Sequence, residues 1–207
     1  MVPVVICTLG CKSLNVLETS LMVYNPDIPR FVSFIDKPST FGQSYNEALS
    51  VAFRGYDEVI VSNDDVVVTP SSIKVLMEDV DTLKAIHGDK LGFVAALSDD
   101  ARNSQNIRFE RGDEPKEQAV ISPIFAWMSK AAFQAAQFPP LNWYSDDVIC
   151  EDLNQLGFTH YISRSYVHHV GSQTVGRDYQ KLNADALPWL RENRPEYVKR
   201  WWGEQWL

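Results

Sequence analysis

The sequence predicts an α/β fold: one domain on a mixed, mostly parallel sheet flanked by helices. Three observations predict it. Short β-branched runs without polar alternation recur through the first half, as in strands buried on both faces of a sheet. Amphipathic segments at helical spacing separate them, the pattern of strand–helix–strand units. The run at 58–61 stops abruptly at Ser62-Asn63-Asp64-Asp65, which puts acids where such sheets bind ligands, beyond the C-terminal ends of strands.

Residues 2–8 read as the first strand. Leu14, Leu17 and Leu21 follow at helical spacing, with Ser13 available as a cap. Residues 31–35 form the second strand, ending at Asp36, and Tyr45, Ala48, Leu49 and Ala52 mark the next helix. After the third strand at 58–61, Thr69 and Pro70 supply a cap and a first helical position for a helix carrying Ile73, Leu76, Met77, Val80 and Leu83. Residues 92–97 are a fourth strand. The polar stretch 99–118 reads as a surface excursion. Residues 119–121 and 124–128 are strand candidates around Pro123, and Ser129 caps a short helix through Ala136 that Pro139-Pro140 ends. A helix over 147–156 closes at Gly157. Short strands are expected at 161–162 and 166–167, and the tail from Asp178 is helical in composition, interrupted at Pro188 and Pro195.

The 207 residues, 45% of them hydrophobic, suffice for one substantial core but not for two catalytic domains. With 27 acidic against 19 basic residues the net charge is -8, which disfavours a broad electrostatic grip on nucleic acid and so a nucleic-acid acceptor. Cys7, Cys11 and Cys150 are odd in number and lack zinc-site spacing; they are expected to be reduced thiols of a cytoplasmic protein. No apolar run approaches the roughly 20 residues that cross a bilayer.

Acids at a strand tip suit magnesium or manganese, which take one or two carboxylates and complete their shell with phosphate oxygens and water. Such acids also simply cap turns. Here a resemblance adds to the residues themselves. The segment 59–70 resembles the DXD-type metal motif of family-two GT-A glycosyltransferases, with Asn63 on the first position and Asp65 on the last. Three further segments are similar to the family's: the opening strand, whose end at Thr8-Leu9 lies against the nucleotide; residues 34–40, where Asp36 receives a hydrogen bond from the base, although Lys37-Pro38 stand where the family has small residues and glycine; and Gly42 with Asn46 before the metal strand. The resemblance implies a Rossmann-like GT-A fold over residues 1–207, with 1–98 the nucleotide-binding half and 119–207 the acceptor side and C-terminal helix. It implies that Asp65 contacts the metal and that Asp64 and Asn63 lie near the ribose and diphosphate.

Residues 143–153 are similar to the family's Glu-Asp segment. A carboxylate there would take the acceptor's proton: Asp147 or Asp146 by position, Glu151-Asp152 by likeness. The bland reading is that Asp146 and Asp147 only face a helix dipole. Residues 166–174 resemble the late stretch whose histidine completes the metal shell; His169 fits the spacing best and His168 is the fallback, against the ordinary reading of a structural histidine. The rings of Trp189, Tyr197, Trp201, Trp202 and Trp206 are read as packing the last helix on the core, with stacking on a sugar or base as the alternative, and Trp201 and Trp202 are not expected both to face inward.

The implied activity is transfer of a sugar, a hexose, from a nucleotide-sugar, UDP-linked before GDP- or dTDP-linked, to a hydroxyl of a glycan, lipid or protein, with inversion and with Mn2+ or Mg2+. Two alternatives stand beside it: a non-catalytic nucleotide- or sugar-binding module, and a nucleotidyltransferase, for which Thr8-Leu9-Gly10-Cys11-Lys12 is a thin phosphate loop.

Overall fold

The computed structural model describes residues 1–10, 12–35, 39–110, 113–171 and 178–206. Strand β1 (Val4–Thr8) is buried along its whole length, with β2 (Arg30–Phe34) parallel on one side and β3 (Glu58–Ser62) parallel on the other. Helix α1 (Lys12–Tyr24) joins β1 to β2 and buries Leu14, Leu17 and Leu21. Helix α2 (Phe41–Ala52) joins β2 to β3. Its start is fixed by a capping box: Thr40 Oγ1 accepts from Gln43 N and Gln43 Oε1 accepts from Thr40 N, which satisfies two otherwise orphaned donors.

The second half adds β4 (Val66–Val68), α3 (Ser72–His87), β5 (Leu91–Ser98), β6 (Lys116–Gln118), β7 (Phe125–Ser129), α4 (Lys130–Ala135), α5 (Ser145–Gln155), β8 (Thr159–His169), α6 (Tyr179–Asn193) and α7 (Pro195–Trp202). The strand order is β2-β1-β3-β7-β5-β8-β4, and β6 pairs with the beginning of β8. The fold is therefore α/β with a mixed sheet and helices on both faces, as expected, but it is not mostly parallel. Among the described residues three strand pairs are parallel and four are antiparallel. The reason lies in the connection from β5 to β7. The chain leaves β5 at its C-terminal end, makes its polar excursion and returns from the same edge without a crossover helix, so β7 must run backwards between β3 and β5.

Alternation along the strands splits the core into two layers. Val5, Cys7, Val59, Val61, Ala126 and Met128 face α2, α4 and α5, whereas Val4, Ile6, Ile60, Phe125 and Trp127 face α1 and α3. Each fully buried aliphatic side chain contributes roughly 1.5–3 kcal/mol, and the polar residues of these strands, Thr8, Glu58, Ser62 and Ser129, stand at their ends. A third cluster, with Leu141, Val148, Ala186, Leu190 and Tyr197, seats α6 and α7 against the start of α5.

Local expectations are corrected at several points. Residues 66–68 form a strand where only a helix entry was read, because their burial partner is β8. Residues 119–121 are not a strand, while 116–118 are. The two short strands expected near 161 and 166 are one irregular strand of 11 residues, β8. Pro188 lies inside α6 and does not interrupt it; packing of Ala186 and Leu190 offsets the missing backbone hydrogen bond. Cys7 and Cys150 are free and buried; Cys11 lies outside the described residues. No helix among the described residues is long and apolar enough to cross a membrane.

One core side chain makes stability depend on acid. His160 is fully buried, with Nδ1 2.9 Å from Phe93 N and Nε2 3.1 Å from the Cys150 carbonyl. Accepting at one nitrogen and donating at the other requires the neutral ring. Gly92 makes room for it, since a Cβ there would come within 2.5 Å of Nδ1. Burial pulls the pKa down to about 4, against a smaller opposing effect of the Cys150 carbonyl. The unfolded chain then binds the extra proton first, so this contribution is whole above pH ~6.5 and is lost as pH falls through about 4, on the order of 3 kcal/mol in all. Thermal melts from pH 7 to pH 4 should show an acid limb in the wild-type protein that is shallower in His160→Gln.

Candidate active site

Strands β1, β3, β5 and β8 point the same way, so Thr8, residues 62–65, residues 98–100 and His168-His169 gather on one edge of the sheet. The tip of β3 is tied down on both sides. Asn63 N donates to the Ile124 carbonyl at 2.8 Å, and Thr8 Oγ1 donates to Asp64 Oδ2 at 2.6 Å while accepting from Gly10 N at 2.8 Å. Asp64 and Asp65 are 5% and 4% exposed, a depth at which carboxylates are kept only with partners, here Thr8 for Asp64 and His169 for Asp65.

Asp65 meets His169 because β4 pairs with the end of β8. Val66 sits opposite His169, and Val170 N donates to the Asp65 carbonyl at 3.0 Å. This register leaves Asp65 Oδ1 3.1 Å from His169 Nε2, with Asn63 Nδ2 at 3.4 Å. The other ring nitrogen, Nδ1, lies 2.7 Å from the Asp100 carbonyl. A carbonyl only accepts, so Nδ1 carries a hydrogen, and in the neutral ring Nε2 presents its lone pair to a carboxylate oxygen. Two electron-rich atoms at that separation need a proton or a cation between them. Burial opposes the charged ring, but Asp65 and the Asp100 carbonyl outweigh it, and the His169 pKa is raised. His168 takes a different partner: its Nδ1 contacts Asp99 Oδ2, while Asp99 Oδ1 accepts from His169 N at 3.0 Å. Burial works against the Asp99 carboxylate, and these two contacts more than compensate and lower its pKa.

The acidic pair is positioned by the start of α5. Gly42 in α2 lets the two helix starts touch, since a Cβ there would fall 1.8 Å from the Pro139 carbonyl oxygen and 2.8 Å from Ser145 Oγ. Tyr144 precedes α5 in the left-handed region, φ 65, the one described non-glycine residue to do so; such backbone costs about 1–3 kcal/mol and concentrates at functional sites. Asp146 and Asp147 then face Arg102, from the excursion after β5. Arg102 Nη2 is 2.9 Å from Asp146 Oδ2, Nη1 is 3.3 Å from Asp147 Oδ1, and Nε donates to Ser122 Oγ at 2.9 Å. Burial and the Asp146 charge push the Asp147 pKa up to about 7, with Arg102 pulling the other way.

The remaining expectations separate by environment. Glu151 is paired with Arg200 at 2.8 Å, and Asp152 is gripped by Arg194 at 3.0 and 2.8 Å and by the Tyr197 hydroxyl at 2.6 Å; this pair anchors the C-terminal helices. Asn46 spends both ends of its amide on the Phe138 backbone, at 2.8 and 3.0 Å. Leu9 is exposed at the end of β1. Asp36 lies outside the described residues. Trp189, Trp201 and Trp202 pack against the third cluster, and both adjacent tryptophans fit there because Tyr144 stacks on one and meets the other edge-on, at centroid distances of 5.7 and 5.0 Å. Arg102 was missed: nothing in a polar loop marks which arginine folds back. Among the described residues, no group of three or more His, Cys, Asp or Glu side chains is arranged to hold a metal; Asp65 and His169 meet as a pair.

No protein-family model matches the chain, and no curated protein is similar to it in sequence. Among solved structures its fold is similar to that of A197 from STIV, with a TM-score of 0.57 and 14% identity over 83% of this chain and 87% of that one. A likeness at that identity shows the fold, a mixed sheet flanked by helices, and no more.

Proposed function

We propose that the protein is a metal-dependent glycosyltransferase of the GT-A type that moves a sugar, a hexose, from a UDP-sugar to a hydroxyl acceptor with inversion. The observation that carries this reading is the opposition of Asp65 Oδ1 and His169 Nε2 at 3.1 Å beyond the C-terminal end of β3, where open α/β sheets commonly bind ligands. The donor set fits a divalent cation. The carboxylate oxygen suits manganese or magnesium with phosphate oxygens and water in the other positions, the imidazole nitrogen favours manganese of the two, and a ring whose one N–H is held by a backbone carbonyl is how ligating histidines are oriented.

When bound, the cation would neutralise negative charge on the departing diphosphate, worth several kcal/mol. Asp65 and His169 would hold it, and the Asp100 carbonyl keeps His169 in the tautomer that could. Thr8 and Asp64 brace the strand tip, and by the family resemblance Asp36 would orient the base. Asp147 accepts the acceptor's hydroxyl proton as the acceptor oxygen bonds to the anomeric carbon; the bond to the diphosphate breaks with its electron pair going to the diphosphate, through an oxocarbenium-like transition state.

Incubation with a panel of UDP-, GDP- and dTDP-sugars, with and without manganese, tests this without knowledge of the acceptor. Metal-dependent release of the nucleotide from a UDP-sugar is expected. Release from no donor, together with no metal-dependent nucleotide binding, would assign the chain to the non-catalytic modules.

A further inference from the structure

The segment that follows β5 reaches both halves of the candidate site. Asp99 accepts from the His169 backbone, the Asp100 carbonyl holds the His169 ring, and two residues later Arg102 spans the acids of α5. The segment is locked in place from behind. Gln105 is fully buried, donates to the Ala96 and Ser122 carbonyls at 2.9 Å each, and accepts from Ser122 N at 2.9 Å. The Ser122 hydroxyl in turn holds Arg102 Nε. A guanidinium fixed at Nε has little rotational freedom left, and its two Nη atoms point at two different carboxylates.

We propose that Arg102 is the positioning residue of the acidic pair: it spans Asp146 and Asp147, aligns them on the first turn of α5, and keeps Asp147 ready to accept a proton. Its consequence for catalysis rests on the transferase reading; its grip on Asp147 does not. Without a cation here the two neighbouring carboxylates would oppose one another's charge, and in a partly buried place one would take up a proton. Arg102 engages Asp147 through Oδ1. The titratable and charged groups facing Asp147 are Asp146, the Arg102 guanidinium, the Tyr144 phenol and the Cys150 thiol. Among these described groups the guanidinium is the one that brings positive charge, and it favours the carboxylate.

The test is a pH titration of the full chain with 13C-labelled aspartate carboxyls, Asp147 being assigned by the signal lost in Asp147→Asn. In Arg102→Met the Asp147 midpoint should move up by about one pH unit or more, and Arg102→Lys should restore part of the difference. An unchanged or lower midpoint in a folded Arg102→Met protein, judged by near-UV circular dichroism, overturns the proposal. A second measurement needs no variant: in the wild-type protein the Arg102 guanidinium 15N signals should titrate with the Asp147 midpoint, and signals silent through it are equally contrary. If donor turnover exists, the acid limb of the Arg102→Met rate profile should rise with the carboxyl midpoint. Absence of turnover in the wild type would remove the transferase reading and leave the titration to decide the role of Arg102.

Discussion

Asp65→Asn should raise the dissociation constant for UDP in the presence of manganese by more than about 100-fold, since loss of even an outer partner of a metal ligand costs about 10–100-fold. The substitution keeps the shape of the side chain and removes its charge. The Asp65 main chain still accepts from Val170 N, and β4 still pairs with β8, so the strand tip should hold its place. Titration calorimetry with UDP, with and without manganese, reads the effect directly. Affinity in the metal-free arm should barely move. Normal manganese-dependent binding in a folded Asp65→Asn protein would mean that the metal, if any, sits elsewhere.

Asp147→Asn should behave in the opposite manner. UDP and manganese should bind as in the wild type, because Asp147 belongs to α5 and its ion pair is with Arg102. Transfer falls by about 100- to 10,000-fold, the range for losing a general base. The remaining rate should also lose its acid limb, since the group held near pH 7 by burial and by Asp146 has been removed. Retained transfer in Asp147→Asn would move the proton acceptor to Asp146, the neighbouring carboxylate on Arg102.

Much of this fold was legible in the sequence because its strands are buried on both faces and so consist of uninterrupted apolar runs; β1, β3 and β5 and the helices α1, α2 and α3 all announce themselves this way. The direction of β7 was not legible. A strand of apolar residues has the same composition whichever way it runs, and only the absence of a crossover helix after β5 distinguishes the two. β4 was hidden for another reason, being three residues long and paired with a partner far along the chain. That hidden strand sets Asp65 beside His169, so the sequence could offer both residues as ligands but not the register that joins them. Asp146 and Asp147 stood out as adjacent acids opening a helix. Their partner Arg102 did not, because the chain returns to α5 through a polar excursion with no periodicity to read.

The central claim is that Asp65 and His169 together grip a cation that carries the donor's diphosphate. Anomalous diffraction from crystals grown with UDP and manganese tests it most directly. The predicted result is one manganese peak bonded to an Asp65 carboxylate oxygen, to His169 Nε2 and to phosphate oxygens of UDP. Ordered UDP with Asp65 and His169 still hydrogen-bonded to each other, and manganese elsewhere or absent, would contradict it.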